Sequence, residues 1–133
     1  MQLPDLTQLD TFPKLLRHNA AHWGDDVAMR EKEHGIWHAY SWEATHARVR
    51  ALALGLLALD LQRGDVVAII GRNRPHWVWA ELAAHSVGGL SLGIYEDALA
   101  TEVGYLLAYA EASVIFAEDE EQADKLLAFY WQP

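Results

Sequence analysis

Three groups of residues have the types and spacing to do chemistry. Gly71-Arg72-Asn73-Arg74 lies between the apolar run Val66–Ile70 and Pro75, a residue suited to the first position of a helix. Backbone N–H groups at a helix N-terminus, with two arginines beside them, can hold a phosphate. The glycines of Gly-x-x-x-x-Gly-Lys-Ser/Thr and of Gly-x-Gly-x-x-Gly are absent, so this backbone cannot wrap a pyrophosphate closely. The alternative role for Asn73 is to bond the loop backbone or cap the helix.

The second group is histidine. His18 and His22 are four apart in a helical pattern, so both imidazoles could face one ion. The residues between them supply no Glu, so His-Glu-x-x-His is missing. His34 and His38 flank a turn, and exposed histidines are the expectation. The third group is aromatic. Trp77 and Trp79 lie two apart on one helix and must point in different directions. One is expected in the core, with the other covering a neighbour or lining a crevice. Tyr95, just past a strand's end, is well placed for a ligand contact, although packing is the commoner role.

Other chemistry is excluded or unsupported. There is no cysteine, hence no disulfide, thiolate zinc site or cysteine nucleophile. No Gly-x-Ser-x-Gly elbow is present. Paired carboxylates occur only in an acidic run, where Glu96 to Asp124 holds nine acids and no Lys or Arg. That run carries the net charge of -9, and it reads as a solvated helix face. An acidic surface disfavours nucleic acid. The start lacks the basic and apolar regions of a signal peptide. The longest apolar run, Ala51 to Leu59, is far short of the roughly twenty residues a membrane span requires. No catalytic, cofactor-binding or metal-binding residue is assigned on these grounds.

The elements that would position these groups alternate. Residues 1–10 read as a lead-in. Thr11 caps a helix from Phe12 to about Trp23, with Phe12, Leu15, Leu16 and Trp23 on one face. Val27 to Lys32 and Ile36 to Tyr40 form a hairpin around Glu33-His34-Gly35. Ser41 caps a helix from Trp42 to about Leu59. Its apolar residues predict a second half buried nearly all round. Gln62-Arg63-Gly64-Asp65 turns into Val66–Ile70, whose unbroken apolar run suits an interior parallel strand. A helix from Pro75 to about Val87 stops at Gly88-Gly89. Strand Leu90–Tyr95, helix Thr101–Glu111, strand Ser113–Ala117 and helix Asp119–Tyr130 follow. Right-handed crossovers put these strands in one mostly parallel sheet with flanking helices, an α/β fold.

Several of these segments, in order, resemble the N-terminal region of AMP-forming acyl-CoA synthetases, above all the long-chain fatty-acid type. They are Thr11-Phe12-Pro13-Lys14-Leu15-Leu16, Tyr40-Ser41-Trp42-Glu43 and Gly64-Asp65-Val66-Val67-Ala68-Ile69. Asn73-Arg74-Pro75-His76-Trp77, Gly93-Ile94-Tyr95 and Glu118 through Leu127 continue the match. The resemblance implies residues 11–128 as an incomplete N-terminal portion of the large domain, after a lead-in at 1–10. Residues 129–133 form a tail unlike the family. It further implies a ligase that uses ATP and magnesium to join a fatty acid to coenzyme A through an acyl-adenylate. The family's lysine loop and its later motifs have no matching position here. The chain alone is therefore expected to be inactive and to bind neither ATP nor magnesium strongly.

A cytoplasmic place follows from the resemblance, with membrane-peripheral attachment of the parent enzyme. Asp60 stands where the family usually has glycine after the long helix, and Asp adopts the left-handed conformation at more cost. The aromatic end Phe129-Tyr130-Trp131 suits a truncated or frame-shifted reading frame, or a fragment boundary. Two other readings remain open. One is a non-catalytic interaction or dimerisation module, self-associating through exposed apolar surface. The other is an independent small nucleotide-binding α/β domain using Arg72 and Arg74.

Overall fold

The structure, a computed structural model, describes residues 4–130. Helix α1 spans Phe12–His22, strands β1 and β2 span Val27–Glu33 and Ile36–Ser41, and helix α2 spans Trp42–Ala58. Then follow β3 (Val66–Ile70), α3 (Pro75–Ser86), β4 (Leu90–Ile94), α4 (Ala100–Ala110), β5 (Ala112–Ala117) and α5 (Glu120–Tyr130). Local chemistry explains most boundaries. The Thr11 hydroxyl accepts from the Lys14 N–H, and the Ser41 hydroxyl accepts from the Ala44 N–H. Pro75 opens α3. Gly88 takes φ +80°, and the Gly89 N–H returns to the Ala84 carbonyl to close that helix. His34 and Gly35 have φ of +50° and +80°, the signs a two-residue hairpin turn of type I′ needs.

Asp60 does take up the left-handed conformation, with φ +64°. Its side-chain carboxylate and its backbone carbonyl both accept from the Gln62 amide at 2.9 Å, which offsets part of the strain. The Asp65 carboxylate accepts from the Gln62 N–H and completes the turn into β3.

Two sheets result. β1 and β2 pair antiparallel, with a bulge between Val27 and Met29. The second sheet is parallel, in the order β4-β3-β5. The chain runs from β3 to β4 on one side, then crosses back to β5 on the other. Right-handed crossovers then place α3 and α4 on opposite faces. The packing agrees. Val67 faces Trp79, Ala83 and Ala84 of α3 together with Leu16, Val49 and Leu56 from α1 and α2. Ala68 and Ile70 face Val103 and Leu107 of α4, with Leu126 of α5 behind them. β3 is thus covered on both faces, as its apolar run predicts.

Four expectations are corrected. The second half of α2 is not buried all round: Leu54 and Leu57 are 50% and 52% exposed. Leu59 is exposed as well. α2 packs on α1, α3 and the hairpin through one face only, and no described element covers the other. Phe12 does not join the Leu16 side of α1 but projects into solvent. Asn73 does not cap α3: Arg74 is the cap residue, and its side chain makes no capping bond. α5 continues through Phe129 and Tyr130, so a boundary at residue 128 falls inside a helix. There Phe129 packs on Gly104, where a side-chain Cβ would come within 2.2 Å of its ring.

Trp79 is the buried member of the tryptophan pair, at 2% exposure, with Trp77 only partly covered. Truncating a buried indole costs about 3–5 kcal/mol, against about 5–15 kcal/mol for a whole domain. Trp79→Ala should unfold the chain or nearly so, and Trp77→Ala should be milder. Urea midpoints of the two variants test this, and equal small shifts would contradict it.

Candidate functional site

In an open α/β sheet the crevice beyond the strands' carboxyl ends, where the chain's direction of travel reverses, is the usual ligand position. Here that place lies between β3 and β5. A cavity of 290 Å³ opens there, lined by Ile69, Ile70, Gly71, Phe116, Ala117 and Glu118 from the two strands and their ends. Leu52 of α2 and His76, Trp77, Trp79 and Ala80 of α3 close the opposite side, with Arg72 and Arg74 at the rim.

The arginines do not await a phosphate. The Glu118 carboxylate sits where an anion would. It accepts from the Arg72 backbone N–H at 2.6 Å and from the Arg72 guanidinium at 2.9 and 3.1 Å. Arg74 reaches the same carboxylate at 3.4 Å. Arg74 also donates to Glu31 at 2.5 Å and to Glu33 at 3.0 Å, both on β1. Glu96 lies 3.6 Å from Arg72. Gly71 makes room for this: a Cβ there would stand 2.6 Å from the Glu118 Cβ. The glycine makes room for an internal carboxylate.

The electrostatics follow from these contacts. Burial opposes ionisation of Glu118 and is the largest single influence on it. The Arg72 N–H and guanidinium, with Arg74, together outweigh burial and hold the carboxyl below its ordinary value of 4.5. The hydrogen bond to Glu31 is the main reason that Arg74 holds its proton more tightly than usual. Glu118 does the same for Arg72.

Glu118 therefore departs from the expectation of a solvated acidic run, being only 14% exposed at its side chain. It lies just past β5, in the turn before α5, rather than on a helix. Two other acids of that run bond backbone at helix starts: Glu102 accepts from Leu99 N–H, and Asp119 from Gln122 N–H. Asp97, Glu120, Glu121 and Asp124 are exposed as expected.

The remaining candidates lie apart. His18 and His22 stack with ring centroids 4.0 Å apart, and the His22 ring bonds the His18 carbonyl. Among the described residues no group of three or more His, Asp or Glu side chains gathers to hold a metal. His34 and His38 are exposed on the hairpin. Tyr95 is 87% exposed and borders a second cleft with Tyr105 and Glu102. The loop's donors do not suit a triphosphate, because every guanidinium there already faces a carboxylate.

The sequence profile of the family described as AMP-binding enzyme matches residues 16–129. The chain belongs to that family. Among related AMP-binding enzymes, the Xenopus laevis long-chain-fatty-acid–CoA ligase ACSBG2 is 32% identical over 88% of this chain. The Mycobacterium bovis long-chain-fatty-acid–CoA ligase FadD15 is 36% identical over 67%. The chain spans only 16% and 15% of the length of these relatives. The same fold is seen in the Mycobacterium tuberculosis fatty acyl CoA synthetase, with a TM-score of 0.81 and 20% identity over 94% of this chain and 24% of that one. The N-terminal subdomain of Klebsiella oxytoca NpsA gives 0.72 and 21% over 82% and 28%. The fold is thus the N-terminal part of the adenylate-forming architecture. Three segments that resemble the AMP-binding enzymes meet at the sheet's carboxyl edge: 73–77, 93–95 and the start of 118–127.

Glu118 makes a specific pH dependence. Its folded-state pKa is depressed, so its stabilising contribution is complete above 4.5 and is lost as pH falls through the lower folded value. Glu118→Gln should cost about 1–3 kcal/mol at pH 7, since hydrogen-bonded charged partners are left unpaired. Urea midpoints of wild type and variant should converge below pH 4.5. A gap that is constant with pH would show that the carboxylate's charge is not what holds the loop.

Proposed function

We propose that this chain is the opening α/β segment of a long-chain fatty-acid–CoA ligase and serves there as scaffold. In the parent reaction a fatty acid attacks the α-phosphate of ATP, with magnesium, to give an acyl-adenylate and pyrophosphate. Coenzyme A thiol then displaces AMP to give the thioester. The observation that carries this reading is the family match over residues 16–129, with long-chain ligases among the relatives. The scaffold role rests on the loop of Arg72 and Arg74. Its two arginines are used to tie β1, β3 and β5 together, each already facing a carboxylate.

The 133 residues hold no Ser/Thr/Gly-rich loop with lysine. Residues 11–128 correspond to the first part of the large domain. No helix among the described residues is long and apolar enough to cross a membrane. We infer a cytoplasmic parent enzyme with membrane-peripheral attachment, on the family resemblance.

Adenylation needs ligands for the triphosphate and for magnesium. Palmitate, ATP and CoA incubated with the purified 133-residue chain should release pyrophosphate and AMP at the background rate. Turnover that tracks the protein through re-purification would overturn the scaffold reading.

A second consequence follows from the uncovered face of α2. Leu54, Leu57 and Leu59 are exposed, and both edges of the parallel sheet lack a partner among the described residues. Such surfaces promote association. The isolated chain should self-associate at micromolar concentration. Salt should strengthen this by screening the acidic segment from Glu96 to Asp124. Light scattering against concentration and salt measures it. A monodisperse monomer that binds no hydrophobic dye would instead support an independent module.

A further inference from the structure

We propose that the cleft between the carboxyl end of β4 and the first two turns of α4 binds a small organic cation with an alkylated ammonium head. Its volume of 590 Å³ is within the range for small-molecule sites. Ile94 of β4, Ala98 and Leu106 give the lining its apolar part. Tyr95, Tyr105 and Glu102 give it two aromatic rings and one carboxylate. The cleft stands on the strand that flanks β3 opposite β5, apart from the crevice lined by Glu118.

The two tyrosines are open to a ligand. Tyr95 is 87% exposed and Tyr105 is 67% exposed, so neither is spent on the core. Tyr105 is steadied by Tyr109, with ring centroids 6.0 Å apart and planes 21° from parallel. The face of an aromatic ring carries the negative part of its quadrupole and attracts a cation above it. Alkyl groups on that cation suit the apolar residues beside the rings.

The charges around the cleft favour the same sign. Glu102 is the one charged residue of the lining, and Glu96 and Asp97 directly follow Tyr95. α5, which packs on α4, brings Glu120, Glu121, Asp124 and one cation, Lys125. The Lys125 Nζ donates to the Glu96 carbonyl, and Arg72 is tied to Glu118 and Glu96. Neither cation lines the cleft. Asp97 and Glu102 form no ion pair among the described residues. The N-terminus of α4 carries partial positive charge, which opposes a cation. Glu102 offsets it from within that first turn, where it accepts from the Leu99 N–H.

The lining also separates an organic cation from a metal ion. A hard cation needs several oxygen ligands. Among the described residues no three carboxylates or imidazoles gather to supply them. Aromatic faces with apolar neighbours and one carboxylate are instead the chemistry that recognises alkylated ammonium groups. Nothing in this binding requires adenylation, so its test is separate from the pyrophosphate assay.

The test is a titration of the 133-residue chain carrying ring-labelled tyrosine, followed by NMR at ionic strength held constant with sodium chloride. The Tyr95 and Tyr105 signals are assigned by their loss in Tyr95→Leu and Tyr105→Leu. Choline is the probe, and it should shift both ring signals in a saturable way. Dimethylbutanol, its uncharged carbon isostere, should bind about fivefold more weakly. Phosphocholine, whose phosphate meets Asp97 and Glu102, should also bind more weakly than choline. Each Tyr→Leu change should lower choline affinity about threefold, and Tyr105→Phe, which keeps the ring, should not. Glu102→Gln keeps a side chain able to cap α4. It should weaken choline about threefold and leave dimethylbutanol unchanged. No saturable shift of the two rings at millimolar choline would overturn the proposal. So would dimethylbutanol or phosphocholine binding as tightly as choline, or unchanged choline affinity in both Tyr→Leu variants.

Discussion

The Glu118 carboxylate is the constraint on which the carboxyl edge of the sheet depends. Its backbone N–H donates to the Ile70 carbonyl, which carries the β3–β5 ladder one step past the strands. Its side chain then turns back to the Arg72 N–H, 46 residues earlier in the chain. Through Arg74 the same cluster reaches Glu31 and Glu33 on β1. The hairpin shares no ladder with the parallel sheet, so this charge cluster is a direct bridge between the two. Pairs this close to water contribute modestly one at a time, and a network in which one carboxylate serves two arginines is a stronger device.

Strand order sets the rest. With β3 in the centre, its odd residues look toward α2 and α3 and its even residues toward α4 and α5. The two cores lie on opposite faces of the sheet, and β5 contributes to both, Val114 and Phe116 to one and Ile115 to the other. Trp79 fills the first of them, against Tyr40 from the hairpin and beneath Arg48 from α2. The small residues Ala80, Ala83 and Ala84 let α3 approach the sheet closely. Ser91 of β4 is held between His85 and Glu81 of α3, a polar pin on an otherwise apolar contact.

Local features were legible in the sequence because their causes are local. Thr11, Ser41, Pro75, His34-Gly35 and Gly88 each act within about four residues of where they stand. The left-handed turn at Asp60 belongs with them. What covers a surface is not local. The leucines of α2 advertise a buried helix, yet Leu54 and Leu57 meet no described element. Periodicity reports which faces are apolar and says nothing of what lies opposite. Glu118 was hidden for the same reason. In sequence it opens an acidic run, and only the parallel pairing of β5 with β3 brings it to Arg72 and Arg74. The arginines themselves were visible as an anion-binding loop, and the geometry they suggested is real. The anion is supplied by the chain.

That substitution changes the chemistry of the place. A helix N-terminus with two free arginines at a sheet's carboxyl edge is an electropositive site. The same backbone with four carboxylates around two arginines has those two cations already paired. Beneath it the walls are mainly apolar and aromatic, from Leu52, Ile69, Trp77, Ala80 and Phe116. Gly71 is where the two designs diverge. A phosphate loop uses glycine to bring backbone N–H groups close to a ligand. Here the missing side chain admits the Cβ and carboxylate of Glu118 instead. Any larger residue at 71 would push Glu118 away from the Arg72 N–H and loosen its ties to both arginines, leaving Arg74 on Glu31 and Glu33. The glycine at 71 is therefore what lets the loop close on Glu118 as a structural tie.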